Sequence, residues 1–258
     1  MRGPMAASGS RGLFRVVGGV AVYAVGVGVS YELFLPKPPL PTADARCCCF
    51  SSLAPAYDAE VDADEKRSGI VGMRRELVQR AEGRVLEVAA GTGRNLPFYS
   101  GSRVKELLIG DFCEGMLQVT ARKLAELRAS EAAAATPSSV TLAVLDAAAL
   151  PLPDDSFDTV VDSFGLCSFE DPDEALREMA RCCRPGGQVL LLEHGASWLP
   201  PLRWWQRHRL NRHVLRYGCY WDRDILAMVE SSGLEVVEAK QYHLGTTHVI
   251  RTRAPART

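Results

Sequence analysis

A doubly wound α/β domain, with a mostly parallel sheet and helices on both faces, is the fold class that this 258-residue sequence predicts. Three observations predict it. Val85-Leu-Glu-Val-Ala-Ala-Gly-Thr-Gly-Arg-Asn95 reads as a buried strand running into a glycine-rich turn, with Glu87 on the strand. A second apolar run, Leu107-Leu-Ile-Gly, ends in Asp111, the place of the acid in a nucleoside-binding half-sheet. Beyond these, near-continuous apolar strand patterns alternate with helical ones, which indicates a parallel sheet covered on both sides.

The elements follow in order. Residues 1–12 carry Arg2 and Arg11 and no acid, a composition that resembles an organelle-targeting amino terminus. Residues 13–35 hold the uncharged run VVGGVAVYAVGVGVSY between Arg15 and Glu32. With its apolar flanks the run approaches the ~20 residues that cross a bilayer, so a single-pass transmembrane helix is expected. A cleaved secretory signal and a buried soluble helix are the alternatives. Residues 36–49 read as a linker: Pro36-Lys-Pro-Pro-Leu-Pro41 cannot continue a helix, and Cys47-Cys48-Cys49 is either featureless or a site for lipidation beside the membrane.

The folded domain is placed at 50–252, with a tail at 253–258. Ile70, Met73, Leu77 and Ala81 share one face of a helix over 64–81. Strand 85–89, helix 95–100, strand 106–110, helix 114–130, strands 140–145 and 157–163, helix 172–183 and strand 187–193 follow. The low-complexity stretch 131–139 is a helix end and loop. All four tryptophans of the chain fall within 198–221, together with five arginines and no acid before Asp222. This stretch is expected to be a cap over the substrate, with Leu202, Leu210, Val214 and Tyr217 turned to the core.

Ligands of such sheets lie at the carboxyl ends of the strands. Gly91 and Gly93 carry no side chain to block a close approach. The Asp111 carboxylate can accept hydrogen bonds from both hydroxyls of a ribose, while Phe112 and Met116 cover a purine face. Asp146-Ala147 offers an acceptor to an exocyclic amine, and Asp162-Ser163-Phe164 ends the fourth strand. Each acid alone also suits a helix cap or a solvated turn; their order is what points to a nucleoside. The eight cysteines include contiguous sets that do not suit disulfide geometry, and no Cys/His spacing suggests zinc, so no metal is expected.

These residues resemble the class I S-adenosylmethionine-dependent methyltransferases over about residues 50 to 250. VLEVAAGTGRN is similar to their first motif, LLIGDFCEGML to the second, LDAAALPLPDDSFDTVV to the third, and CCRPGGQVLLLEHG to the turn into the fifth strand. Ser51-Ser-Leu-Ala-Pro-Ala-Tyr-Asp58 resembles the entry segment of the ubiquinone and menaquinone methyltransferase branch (methyltransferase type 11). Within it, the anchor, Glu193-His194-Gly195 and Tyr242-His-Leu-Gly-Thr246 resemble membrane-anchored methyltransferase-like proteins of the mitochondrial inner membrane. A similar layout occurs in membrane-associated thiol methyltransferases.

The resemblance implies a Rossmann-like, mostly parallel seven-stranded sheet and S-adenosylmethionine as cofactor. It places that cofactor against Glu87, Ala89, Gly91, Thr92, Gly93, Asn95, Asp111, Phe112, Met116, Asp146, Ala147 and Ser163. Ala89 departs from the family's glycine and fits if its φ is negative. His194, at the end of the fifth strand, is the candidate general base, with a strand-end hydrogen bond as its plain alternative.

The strand-four end, Asp162-Ser-Phe-Gly-Leu-Cys-Ser-Phe169, lacks the Pro-Pro signature of adenine or glutamine methylation. Those acceptors are thus disfavoured; the resemblance implies a small lipophilic acceptor, a quinone precursor or a thiol, as the partner, with a lipid and a protein side chain as open alternatives. The membrane is met through 13–35 and the basic stretch 198–216, and no nucleic acid is expected. The resemblance implies localisation to the mitochondrial inner membrane, with endoplasmic reticulum or plastid as alternatives. Two rivals stand beside this reading. A nicotinamide dehydrogenase would need a third glycine where Leu96 stands; a non-catalytic protein supporting respiratory assembly would need no cofactor.

Overall fold

The computed structural model describes residues 37–256, and the architecture is that of the unit beginning at Leu40. The targeting-like segment 1–12, the expected transmembrane helix 13–35 and the last two residues lie outside the described residues. Among the described residues, no helix is long and apolar enough to cross a membrane.

Helix α1 (Ala43–Ser68) starts inside the stretch expected to be a linker. Thr42 follows the prolines and caps it, its Oγ1 accepting from the Ala45 N–H at 3.2 Å. The triple cysteine is therefore helical. One side of α1 (Cys47, Phe50, Ala54, Tyr57) packs on Cys113, Met116 and Val119. The helix ends at Gly69, whose φ of 79° is a left-handed cap. The helix expected over 64–81 is thereby two, and α2 (Ile70–Val78) carries the apolar face.

The strands are β1 (Gly83–Val88), β2 (Val104–Asp111), β3 (Ser139–Val144), β4 (Phe157–Ser163), β5 (Cys183–His194), β6 (Glu235–Tyr242) and β7 (Thr247–Arg253). They form one seven-stranded sheet in the order β3-β2-β1-β4-β5-β7-β6. Strands β1 to β5 run parallel, and β7 pairs antiparallel with both β5 and β6. The mostly parallel seven-stranded sheet is the one the resemblance implies. The expected helix 95–100 is only a 3-10 turn at Leu96–Phe98, after which the backbone is extended at Tyr99. Strand β5 begins four residues early because the Arg184-Pro-Gly-Gly segment joins its edge, with a register break opposite Phe157.

Helices α3 (Glu114–Ala129), α4 (Pro172–Cys182), α5 (Pro200–Tyr217) and α6 (Ile225–Ser231) complete the fold. Alternate residues of each central strand feed two cores, as a sheet buried on both faces requires. Leu86, Val160, Val189 and Leu191 pack with Leu176, Met179, Ile225 and Val229 of α4 and α6. Val85, Val161, Leu190 and Leu192 pack with Leu77 and Val78 of α2 and Leu117 and Leu124 of α3. The sheet order reverses at β1 and β4, so the crevice lies beyond the carboxyl ends of these strands.

Candidate active site

At the end of β1, Glu87 is buried and accepts from Asn95 Nδ2 and from the Tyr99 hydroxyl, each at 2.8 Å. Burial pushes its carboxyl up to about 7 despite these two donors. Asn95 Nδ2 also donates to Ser163 Oγ at 3.1 Å, and its Oδ1 accepts from Arg74 Nη1 at 3.0 Å. One buried network therefore joins the ends of β1 and β4 to α2.

The turn that follows is left-handed at three positions: Ala89 (φ 49°), Gly91 (φ 58°) and Gly93 (φ 72°). The negative φ expected for Ala89 is not what the chain adopts. The tight return after β1 imposes the left-handed conformation at 89, and alanine takes it with strain. A Cβ on Gly93 would lie 2.9 Å from Leu96 Cδ1 and from Thr120 Cγ2, so packing requires glycine there. A Cβ on Gly91 would meet nothing within 4 Å. The space beside Gly91 is open.

Asp111 borders that space. Its Oδ2 accepts from the Gly91 N–H at 2.7 Å and its Oδ1 from the Cys113 N–H at 2.8 Å. Burial raises its carboxyl above the ordinary range, and the two amides work against that rise. Each oxygen keeps a lone pair for a ribose hydroxyl. Phe112 is 46 % exposed at this corner. Met116, on α3, is buried against α1. Leu145 N–H donates to Asp111 O at 3.0 Å, which brings the 145–147 loop alongside. Asp146 is exposed there, its Oδ1 accepting from the Ala148 N–H at 2.9 Å, and Ala147 is buried.

The outer wall of the turn comes from α1. Thr92 Oγ1 donates to Asp58 Oδ1 at 2.7 Å, and Arg94 pairs with Asp58 (3.0 Å), Asp62 (2.8 Å) and Glu65 (2.8 Å). Lys123 also meets Asp58, and Glu65 meets Arg74 at 2.8 Å. Burial alone would raise Asp58; hydrogen bonds from Lys123, Thr92 and Arg94 outweigh it and hold the carboxyl below its usual value. Tyr57 beside it is pushed up to about 12, by burial first and the Glu65 charge second. Of this wall, only Tyr57 and Asp58 stood out in the sequence. The spacing of Asp58, Asp62 and Glu65 by four and three residues was the available signal, since it puts three acids on one helical face.

Two buried acids close the β4–β5 end. Asp162 accepts from Gly165 and Leu166 N–H at 3.0 Å each, and burial pushes it up to about 7 against them. Glu193 accepts from the Cys167 N–H at 3.1 Å; burial, then the neighbouring Asp162 charge, drives it well above the carboxylate range. His194 is half-buried, its ring stacked on Phe164 at 4.3 Å between centroids. Its Nδ1 faces Cys219 Sγ at 3.6 Å and Cys167 Sγ at 3.9 Å. These partners lie 25 and 27 residues from His194 in sequence, so no local spacing could reveal the cluster.

The stretch expected as a cap holds α5, whose packing matches expectation at Val214 and differs from it elsewhere. Gln206 and Val214 are its buried residues, while Tyr217 is 50 % exposed. Gln206 accepts from the Ser197 N–H at 2.8 Å and donates to Gly195 O at 3.0 Å and Trp221 O at 2.8 Å. A polar anchor thus does the work assigned to an apolar stripe. Trp198, Trp204 and Trp205 are exposed.

A glycine turn bound to an acid at the tip of the next strand, with open space beside the turn, defines a protein built to hold a nucleoside cofactor. Residues 86–191 match the methyltransferase-domain family. The chain is 37% identical over 156 residues to the phosphatidylethanolamine N-methyltransferase of Cereibacter sphaeroides, covering 60% of this chain and 72% of that one. With the Methyltransferase OMS1, mitochondrial, of Saccharomyces cerevisiae it shares 32% identity over 78% of its own length. With the demethylmenaquinone methyltransferase of Renibacterium salmoninarum it shares 34% over 62%. The chain belongs to the class I S-adenosylmethionine-dependent methyltransferases, in the branch that holds the ubiquinone and menaquinone methyltransferases. It spans 44% of the yeast relative and 63% of the Renibacterium one. In fold it is similar to the [4+2]-cyclase SpnF, with a TM-score of 0.66 at 16% identity, over 86% of this chain and 99% of that one.

Proposed function

We propose that this chain transfers a methyl group from S-adenosylmethionine to a small lipophilic acceptor, a quinone precursor or a thiol, at a mitochondrial membrane. The observation that carries the cofactor assignment is the open space beside Gly91, bordered by the Asp111 carboxylate. Asp111 would accept from the ribose hydroxyls, Asp146 from the adenine amine, and the Glu87–Asn95–Ser163 network would face the methionine end. When bound, the cofactor supplies a sulfonium-activated methyl group. The chain's contribution is alignment and exclusion of water. The acceptor's lone pair forms the new bond to carbon while the carbon–sulfur bond breaks, the electron pair leaves with sulfur, and any acceptor proton passes to solvent or a base.

The acceptor class is supported by the relatives that are named as demethylmenaquinone methyltransferases and by α5. That helix carries exposed Trp204 and Trp205 at its start, with five arginines along or near it and no acid. Aromatic side chains with arginines suit the headgroup region of an anionic bilayer. The mitochondrial setting is supported by the yeast relative, a mitochondrial methyltransferase, and membrane attachment by the apolar run 13–35. Calorimetric titration of the full chain with S-adenosylhomocysteine tests the cofactor assignment. Micromolar binding is expected, and no heat at high micromolar ligand overturns it and leaves the non-catalytic reading. Methyl transfer to quinol and to thiol acceptors, followed by mass spectrometry, then tests the acceptor class.

A further inference from the structure

We propose that Cys167, His194 and Cys219 form a binding site for a borderline-soft divalent cation of the zinc class. The three residues come from the loop after β4, the end of β5 and the position two beyond α5. Cys219 Sγ and Cys167 Sγ lie 3.6 and 3.9 Å from His194 Nδ1, and all three ligand atoms lie within 4.8 Å of one another. A tetrahedral zinc ion with Zn–S of about 2.3 Å and Zn–N of about 2.0–2.1 Å sets sulfur and nitrogen ligands about 3.5 Å apart, and two sulfurs about 3.8 Å apart. The side chains already stand near three corners of that tetrahedron. Shifts of less than about 1 Å would complete it.

The surroundings fix the ligands as a metal site requires. Both cysteines are buried, and Phe164 stacks on the imidazole and sets its plane. The Cys167 N–H is held by Glu193. The Tyr220 N–H donates to Cys167 O at 2.6 Å, which ties the two cysteine loops directly together. Arg223 donates to the carbonyls of Leu166 and Phe169, the second at 2.7 Å, clamping the first loop. The imidazole nitrogen lies against both sulfurs, an arrangement a simple disulfide would not need. Two thiolates and an imidazole are the donor set of zinc, and three protein ligands leave a fourth position for water or a small molecule. A histidine bound through Nδ1 takes no proton there, so this assignment replaces the general-base role expected of His194. The site would pin the carboxyl end of α5 to the sheet, independently of methyl transfer.

The test uses the full chain, reduced, loaded with Zn2+ or Co2+ and desalted. Expected are one metal per chain by elemental analysis and, for Co2+, the tetrahedral visible bands with a thiolate charge-transfer band. Cys167→Ser and Cys219→Ser should each lower retained metal at least about tenfold. The triple variant Cys47→Ser, Cys48→Ser, Cys49→Ser should retain it. Three results overturn the proposal: no stoichiometric metal, metal lost only in the triple variant, or a Cys167–Cys219 disulfide in chain that holds no metal once reduced. Should the serine variants unfold by circular dichroism, X-ray absorption of the loaded wild-type chain decides. Two sulfurs and one imidazole per metal support the site, and all-oxygen ligation overturns it. Cofactor affinity measured in parallel separates this outcome from that of the methyltransferase reading.

Discussion

The backbone N–H of Gly91 donates to Asp111 Oδ2 at 2.7 Å, fastening the turn after β1 to the tip of β2. On the proposed cofactor placement the carboxylate would have two duties, since the same oxygens that would meet a ribose also hold the turn in shape. Asp111→Asn keeps the size but replaces one acceptor by a donor facing an N–H. Affinity for S-adenosylhomocysteine should fall at least about tenfold, as loss of a charge-assisted hydrogen bond is worth about 1.5–3 kcal/mol. Isothermal titration checks it, and an unchanged affinity would remove Asp111 from the cofactor contact.

Gly91 and Gly93 should respond differently to alanine. At Gly93 a left-handed φ of 72° is joined by contacts of 2.9 Å to Leu96 and Thr120, so strain and overpacking add to about 2–5 kcal/mol of lost stability. At Gly91 the new methyl group meets nothing within 4 Å, leaving strain of about 1–2 kcal/mol. Gly91→Ala should instead fill the space in which the cofactor is proposed to lie. Denaturant melts and cofactor titration on both variants read the split; equal binding loss with equal stability loss would show that the space is not a ligand site.

Ala89 holds a φ of 49° at the position where the resemblance leads one to expect glycine. Ala89→Gly should raise stability by about 0.5–1 kcal/mol, because the left-handed strain exceeds the added unfolded-state entropy. A rise of roughly 1–4 °C in melting temperature is expected. A fall in melting temperature would mean that the alanine methyl packs usefully in the turn.

The sheet was legible because its signals are local. Apolar runs such as Leu107–Ile109, each closing on a glycine or an acid, mark strands without any knowledge of their neighbours. The positions of Asp111 and Asp146 at and just after strand ends were legible for the same reason. What escaped depends on contacts across the chain. Helix α1 begins at Ala43 because its Cys47–Tyr57 face covers Met116, a partner over fifty residues away. Arg94 is held by three acids of α1, and His194 meets two cysteines from separate loops. No window of sequence contains either set.

Gln206 anchors α5 with three hydrogen bonds from a buried amide. Gln206→Ala leaves the Ser197 N–H and two carbonyls without that partner and opens a small cavity. A cost of about 2–4 kcal/mol is expected. Hydrogen exchange should show faster opening across Pro200–Tyr217, with the β1–β2 corner unaffected. Uniform loss of protection over the whole sheet would show instead that α5 is integral to the core.

Glu87 gives the fold a pH dependence whose sign is fixed by burial. Its carboxyl stands at about 7 in the folded chain against 4.5 as an ordinary glutamate, so the folded state binds a proton the unfolded state has already released. Stability contributed by the neutral form is complete below about pH 4.5 and is lost as pH rises through 7. The upper bound is on the order of 3 kcal/mol, at about 1.4 kcal/mol per unit. Asp162, also raised to about 7, acts in the same window, whereas Asp58, held below its usual value, loses its contribution only at acid pH below that window. Unfolding free energy from urea titrations should therefore decline between pH 5 and 7. In Glu87→Gln, which cannot ionise, the decline should be smaller, leaving the share that belongs to Asp162 and its neighbours. An unaltered slope in the variant would mean that Arg74, donating to Asn95 Oδ1 at 3.0 Å, keeps Glu87 ionised throughout.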